Sequence, residues 1–219
     1  MNSLQTEMDD GRRRYYNASI AVEFDANGRM VNKVSNRKRK LVAFGEHIPL
    51  MDWFEDVQFP LISTNLASIS PGASKQVSDF PGLPRVSPQI CYEMAYPGLT
   101  PHGDGQPAAF ILNQSNDAWF GRSAGPAQHA NIARYRAIET GLPVIRAASN
   151  GMSGQIDPYG RVHGKVVTKK MHHIDVMLLK PLNFNGNVKT INWSLLLISL
   201  MICGICSVIK VRSVGLRIN

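Results

Sequence analysis

Two short runs on either side of one helical segment leave few folds open to this chain. Residues 108–112 (AAFIL) are too short for a helix and apolar in every position, as a parallel strand buried on both faces requires. Residues 144–147 (VIRA) are a second candidate for a buried strand. Between them, residues 126–140 have helical spacing, with Ile132, Tyr135 and Ile138 on one side and Arg134 and Glu139 elsewhere. Pro126 suits a first helical turn, and Gly141-Leu142-Pro143 ends it. Strand, helix and strand in this order point to an α/β domain.

A third run carries the chemistry. Val86 and Ile90 lead to Cys91, which is followed by Tyr92 and Glu93, and Tyr96-Pro97-Gly98 stops any helix early. A strand ending there presents a thiol at its tip. A thiol attacks a carbonyl as thiolate, so the free value near ~8.5 must be lowered by neighbouring charge. Position alone favours the plainer reading of Cys91 as a small buried hydrophobe. The supporting charge is sought in residues 36–50, NRKRKLVAFGEHIPL. The run Arg37-Lys38-Arg39-Lys40 reads as a solvated basic face. Lys38 and Glu46 nevertheless reach one site if a strand is followed by a turn at Gly45. A lysine there favours the thiolate and stabilises an oxyanion. Residues 114–121, QSNDAWFG, place polar groups at a strand's C-terminal edge ahead of aromatics. That suits a ligand pocket, and equally an Asx-type turn over a packed Trp119.

The rest of the chain frames these segments. Residues 16–24 alternate, with Ala18, Ile20, Val22 and Phe24 on the inward face, and Asp25-Ala26-Asn27-Gly28 turns the chain into a hairpin partner at 30–34. Residues 51–87 are rich in Ser, Pro and Gly and read as long loops. Asn150-Gly151 and Pro158-Tyr159-Gly160 are turns, and 162–167 and 174–179 are expected strands. His172 and His173 are adjacent, so a strand sends them to opposite faces, and they make a poor metal pair.

The formal net charge of +8 invites nucleic acid or an anionic membrane surface as partner. The basic residues form short separate runs, without zinc spacing, an RNA-binding aromatic box or a helix-turn-helix pattern, so the reading is against nucleic acid. Three cysteines, Cys91, Cys203 and Cys206, build no disulfide framework. Residues 1–16 are polar and lack the apolar core of a signal peptide. Residues 190–209, TINWSLLLISLMICGICSVI, hold no charge. At a rise of about 1.5 Å each, about 20 residues reach ~30 Å, enough to span a bilayer core. Trp193 suits one interface, and Lys210 and Arg212 close the other end. The positive-inside rule puts the basic tail in the cytoplasm and the preceding domain across the membrane, in the periplasm of a Gram-negative cell.

Taken together, LVAFGEHIPL (41–50), ICYE (90–93), SNDAWFG (115–121), QHANIARYRAIETGLPVIRAASNG (128–151) and the terminal apolar segment resemble the nitrilase-type domain of the apolipoprotein N-acyltransferases, from about Tyr15 to the C-terminus. The resemblance implies an α/β fold: a nitrilase-like α-β-β-α sandwich, incomplete at its N-terminus, followed by one C-terminal transmembrane helix. The implied organisation is a polar segment at 1–14, the carbon-nitrogen hydrolase domain at 15–181, a linker at 182–191, the transmembrane helix at 192–209 and a cytoplasmic tail at 210–219.

It also implies a Glu-Lys-Cys triad, with Cys91 as nucleophile and Lys38 as the triad lysine. Glu46 is implied as a further essential loop glutamate, and Tyr92, Glu93, Asn116 and Trp119 as substrate-binding residues. No metal or organic cofactor is implied. The implied partners are a phospholipid acyl donor, a diacylglyceryl apolipoprotein acceptor and the bacterial inner membrane. The triad glutamate lies before the matching region in the family. Glu7, Asp9 and Asp10 lack its apolar strand context, and Asn36 and Ala43 depart from the family's aromatic and proline. The expectation is therefore a truncated or split product whose base comes from a separately encoded half. Its alternatives are a non-catalytic, membrane-tethered remnant or interaction module and, more remotely, a soluble amidase.

Overall fold

The computed structural model describes residues 2–9, 11–43, 45–46, 69–73, 77–100, 107–167, 173–182, 193 and 195–205. The chain divides into two compact units, Met1–Asn183 and Phe184–Asn219.

The first unit opens with three antiparallel strands, β1 (Asn2–Asp9), β2 (Arg12–Phe24) and β3 (Met30–Arg37), in that spatial order. The expected β2–β3 hairpin is present. Asp25 Oδ1 accepts from the backbone N–H of Asn27 (2.9 Å) and Arg29 (2.8 Å), and Gly28 supplies φ 75°. Two details differ from expectation. Residues 2–9 form a strand where a polar segment was expected. Its antiparallel ladder with β2 holds it, and exposed charge pairs, Asp9 with Arg14 at 2.8 Å and Glu7 with Arg37 at 2.7 Å, line the sheet; apolar periodicity cannot detect either. Phe24, expected inward, is 58% exposed, because the register shifts between Glu23 and Phe24 and a bulge reverses the side-chain alternation.

The second sheet has five strands in chain order, β4 (Val86–Ile90), β5 (Phe110–Asn116), β6 (Val144–Ser149), β7 (Met152–Ile156) and β8 (Val162–Val167). β4, β5 and β6 are parallel, and the rest antiparallel. Helix α1 (Gly125–Thr140) is the crossover between β5 and β6. The strand period of two sorts the side chains. Ile111 and Val144 face α1 in a core with Ala133, Ala137, Met94, Leu142 and Ile156. Phe110, Leu112 and Ile145 face the other way, onto Val86, Phe80 and the Ala21 and Val34 of the first sheet. The layers are therefore sheet, sheet and helix. Among the described residues no helix covers the far side of the first sheet, so the α-β-β-α expectation is met in three of its four layers.

The helix is where it was expected, but a different face is buried. Ala130, Ala133 and Ala137 pack inward with His129 and Thr140, while Tyr135 and Ile138 are 59% and 48% exposed. Small side chains let the helix approach the sheet closely, so side-chain bulk picked the wrong stripe. Residues 174–179 form no strand. They run beside β7 on contacts such as Gln155 Nε2 donating to the Met177 carbonyl at 2.8 Å. His172 and most of the 51–87 loop lie outside the described residues.

In the second unit, residues 195–205 are helical, and Leu195, Leu196, Leu197, Ile198, Leu200, Met201, Ile202 and Ile205 are all exposed. Among the described residues no helix is long and apolar enough to cross a membrane. The rest of the expected span at 192–209 and the tail at 210–219 lie outside them.

Candidate active site

β4 ends at Ile90, and Cys91 begins a short 3₁₀ turn, Cys91–Ala95, with φ 53°. A cysteine in the left-handed region is strained, and the surroundings must hold it there. Two contacts do so. His129 Nε2 lies 3.2 Å from the Cys91 carbonyl, and Asn113 Nδ2 points at the same oxygen from 3.5 Å. On the other side the buried Glu93 carboxylate accepts the Ile90 N–H at 2.7 Å, the reach-back that an acidic third residue makes over a helical turn. Its second oxygen accepts the N–H groups of Arg39 (2.7 Å) and Lys40 (3.1 Å). Glu93 thus stitches the segment just after Lys38 to the residue just before Cys91.

Lys38 has no exposed side-chain surface, and its Nζ meets both Glu46 oxygens, at 2.6 and 2.5 Å. Glu46 Oε2 also accepts the Val42 N–H at 2.9 Å, and the N–H groups of Gly45 and Glu46 return to the Val42 carbonyl. A turn at Gly45 therefore does bring Lys38 and Glu46 together. The basic run is not a solvated face. The side chains of Lys38 and Arg39 are buried, Arg37 lies 4.0 Å over the Tyr16 ring, and Lys40 alone of the four is exposed. Backbone bonds to Asn17 and Gly72 pin Lys38 on both sides.

A buried polar cluster beneath Cys91 was missed by sequence reasoning. Asp117 Oδ2 pairs with Arg146 Nη2 at 2.7 Å, and its Oδ1 meets His129 Nδ1 at 2.9 Å and Ser115 Oγ at 2.7 Å. Arg146 Nη1 also donates to Asn113 Oδ1. Burial pushes the Asp117 carboxyl upward, but the bonds from His129 and Ser115 and the Arg146 guanidinium outweigh it and hold the group down at about 2. The signal was present, since Arg146 is a charge inside a run read as a buried strand and so demands a partner. Gly151 closes the cluster, because a Cβ at that position would overlap Asp117 Oδ2. Gly151→Ala is expected to lower stability by about 1–3 kcal/mol in a denaturant titration.

The remaining sequence-derived residues lie at the rim. Tyr92 is 39% exposed, and its ring sits 6.1 Å from that of His129. Asn116 ends β5, and its Oδ1 accepts the Ala118 N–H at 3.1 Å, an Asx turn. The residue packed under that turn is Asp117; Trp119 is 81% exposed and not a packed wall. Around Cys91 the described carboxylates are all engaged: Glu46 by Lys38, Glu93 by three backbone N–H groups, and Asp117 by Arg146 and His129.

The family described as carbon-nitrogen hydrolase matches residues 5–171. The chain is 39% identical over 158 residues to the apolipoprotein N-acyltransferase of Rhodopseudomonas palustris, a match covering 71% of this chain and 28% of that protein. It is 42% identical over 149 residues to the apolipoprotein N-acyltransferase of Allorhizobium ampelinum, covering 68% and 27%. The chain thus spans less than a third of the length of these relatives. Among solved structures, the carbon-nitrogen hydrolase of Helicobacter pylori G27 superposes with a TM-score of 0.51 at 17% identity, covering 78% of this chain and 58% of that one. A CN-hydrolase superfamily protein of Xanthomonas campestris gives 0.50 at 16%, covering 77% and 59%. These two likenesses show the fold alone.

Proposed function

Since the chain belongs to the carbon-nitrogen hydrolase family, we propose that it is the acyl-transferring part of an apolipoprotein N-acyltransferase. The observation that carries this reading is the strained Cys91, stitched through Glu93 to the segment that bears the buried Lys38–Glu46 pair. In the first half-reaction the Cys91 thiolate attacks an acyl ester carbonyl of a phospholipid, chiefly phosphatidylethanolamine. The C–S bond forms, the ester C–O bond breaks, and the departing lysophospholipid oxygen takes the proton first removed from the thiol. Lys38 stabilises the tetrahedral oxyanion, and Glu46 holds the lysine in place. In the second half, the α-amine of a diacylglyceryl-cysteine apolipoprotein attacks the thioester. The C–N bond forms, and the thiolate leaves as the amine loses a proton to the base.

With Glu46, Glu93 and Asp117 engaged, the base carboxylate comes, in this reading, from a further segment or a separately encoded polypeptide. Tyr92, Asn116 and the exposed Trp119 line the approach for acyl chains. The apolar segment at 192–209 tethers the domain on the periplasmic face of the inner membrane, with 210–219 cytoplasmic, which brings a lipid donor within reach. The full engagement of the described carboxylates also favours a second reading, a membrane-tethered module without catalysis.

The two readings separate on one experiment. The chain is incubated with phospholipid vesicles, alone and with the polypeptide encoded immediately upstream, and Cys91 is examined by mass spectrometry. The acyltransferase reading expects an acyl thioester at Cys91 when the base is supplied. No adduct under either condition rejects it in favour of the second.

A further inference from the structure

Arg39 has no part in the arrangements above beyond its backbone. Its side chain is only 10% exposed, and Nε, Nη1 and Nη2 are all shut off from solvent without a hydrogen-bond partner among the described residues. Glu93 Oε1 stands 4.0 Å from Nε, beyond hydrogen-bond reach, and its lone pairs serve backbone N–H groups instead. Burial pulls the Arg39 pKa down, and the Glu93 charge opposes that. A guanidinium carries five N–H donors and no acceptor, so leaving all of them unmet in the interior is costly. Lys38 differs, since Glu46 already satisfies it.

We propose that Arg39 binds an oxyanion beside the nucleophile, and that the oxyanion is the phosphate of the glycerophospholipid donor. The position fits. The Arg39 N–H is bonded to the carboxylate that also holds Ile90, the residue before Cys91. In a glycerophospholipid the phosphate lies only a few bonds from the ester carbonyl that Cys91 attacks. The planar fork matches two phosphate oxygens, and a phosphate supplies acceptors that Glu93 cannot spare. The choice of donor rests on the acyltransferase reading; the shared chemistry, a phosphate oxyanion, would also admit free phosphate.

The test reads occupancy rather than turnover. The full chain in detergent is alkylated with iodoacetamide, and the rate at Cys91 is followed by peptide mass spectrometry. Three probes are added separately: an ether-linked glycerophosphoethanolamine lipid, the corresponding dialkylglycerol without phosphate, and inorganic phosphate. An ether lipid has no acyl ester to transfer, so failure of thioester formation leaves this measurement untouched.

The ether phospholipid is expected to slow alkylation about tenfold or more, as a charge-assisted contact of this kind allows, and the dialkylglycerol is not. Protection by inorganic phosphate as well would show a site that takes the free ion; protection by the lipid alone would assign the headgroup as the source. Arg39→Gln is expected to abolish protection, the rate with ligand being compared with the same variant's rate without it. Arg39→Lys, which keeps a charge beside Glu93 but loses the fork, is expected to need several-fold more ligand. Equal protection by the neutral lipid, or protection unchanged in either variant, overturns the proposal. The first comparison needs only the parent chain, so misfolding of a variant does not remove the test.

Discussion

On the proposed acyltransferase reading, Cys91→Ala is expected to eliminate the acyl thioester and to cut acyl transfer by roughly 10⁴-fold or more, the scale on which loss of a covalent nucleophile is felt. Cys203→Ala is expected to leave both unchanged. Cys91 follows the end of β4 and is linked through Glu93 to the segment after Lys38, whereas Cys203 is exposed on the helix of the second unit. Transfer is read by intact-protein mass and by complementation of cells depleted of their own enzyme. Equal loss from both substitutions would falsify the assignment.

A companion variant separates chemistry from strain. Cys91→Gly removes the same nucleophile but suits φ 53°. It is expected to raise unfolding stability by about 1 kcal/mol while also abolishing transfer. A stability loss instead would mean that the left-handed backbone is not the strained element.

The second large effect lies in the cluster beneath that cysteine. Asp117→Asn or Arg146→Met leaves one buried charge without its partner, and each is expected to cost about 3–5 kcal/mol in urea unfolding. The double variant is expected to cost clearly less than the sum, because the second change removes the charge that the first left stranded. The pH dependence has a definite sign. The Asp117 carboxyl sits at about 2 in the folded chain, below its ordinary value of about 3.9 when unfolded. Its stabilisation is therefore present above the unfolded value and is lost as pH falls from about 4 towards 2, a contribution of about 2 kcal/mol. Asp157, bonded to His163 and Arg161 and also held at about 2, works in the same direction. Asp117→Asn should flatten this acid limb in part, because Asp157 remains. An unchanged slope between pH 4 and pH 2 would show that Asp117 is not the group being titrated.

Both effects depend on where neighbours in space lie, and the sequence marked them unevenly. The hairpin turn at Asp25–Gly28, the strands around 110 and 144 and the limits of α1 follow from local chemistry: an Asx oxygen, a run of apolar residues, a proline at one end and a glycine at the other. Cys91 stood out because its neighbours in the chain are also its neighbours in the 3₁₀ turn. The Lys38–Glu46 pair was legible because eight residues with a glycine among them can close on themselves.

His129 and Arg146 lie inside the helical and strand segments that the sequence marks, but local spacing does not reveal what they meet. Their partners are 12 and 29 residues away in the chain. The buried face of α1 was misjudged for a related reason, since alanines become core only when a sheet comes close enough to need them.

What the sequence determined alone is whatever a few consecutive residues settle by their own conformational limits and polarity: the α/β order of elements, the turns, and the thiol at a strand's end. What the tertiary structure decided is which charges are buried and what meets them. Asp117, Arg146 and His129 share one interior, Lys38 and Arg39 leave the solvent, and Glu93 becomes a stitch rather than a free acid. The physical reason is that desolvation and pairing depend on the distance between atoms after folding, and spacing along the chain does not specify that distance beyond a turn or two.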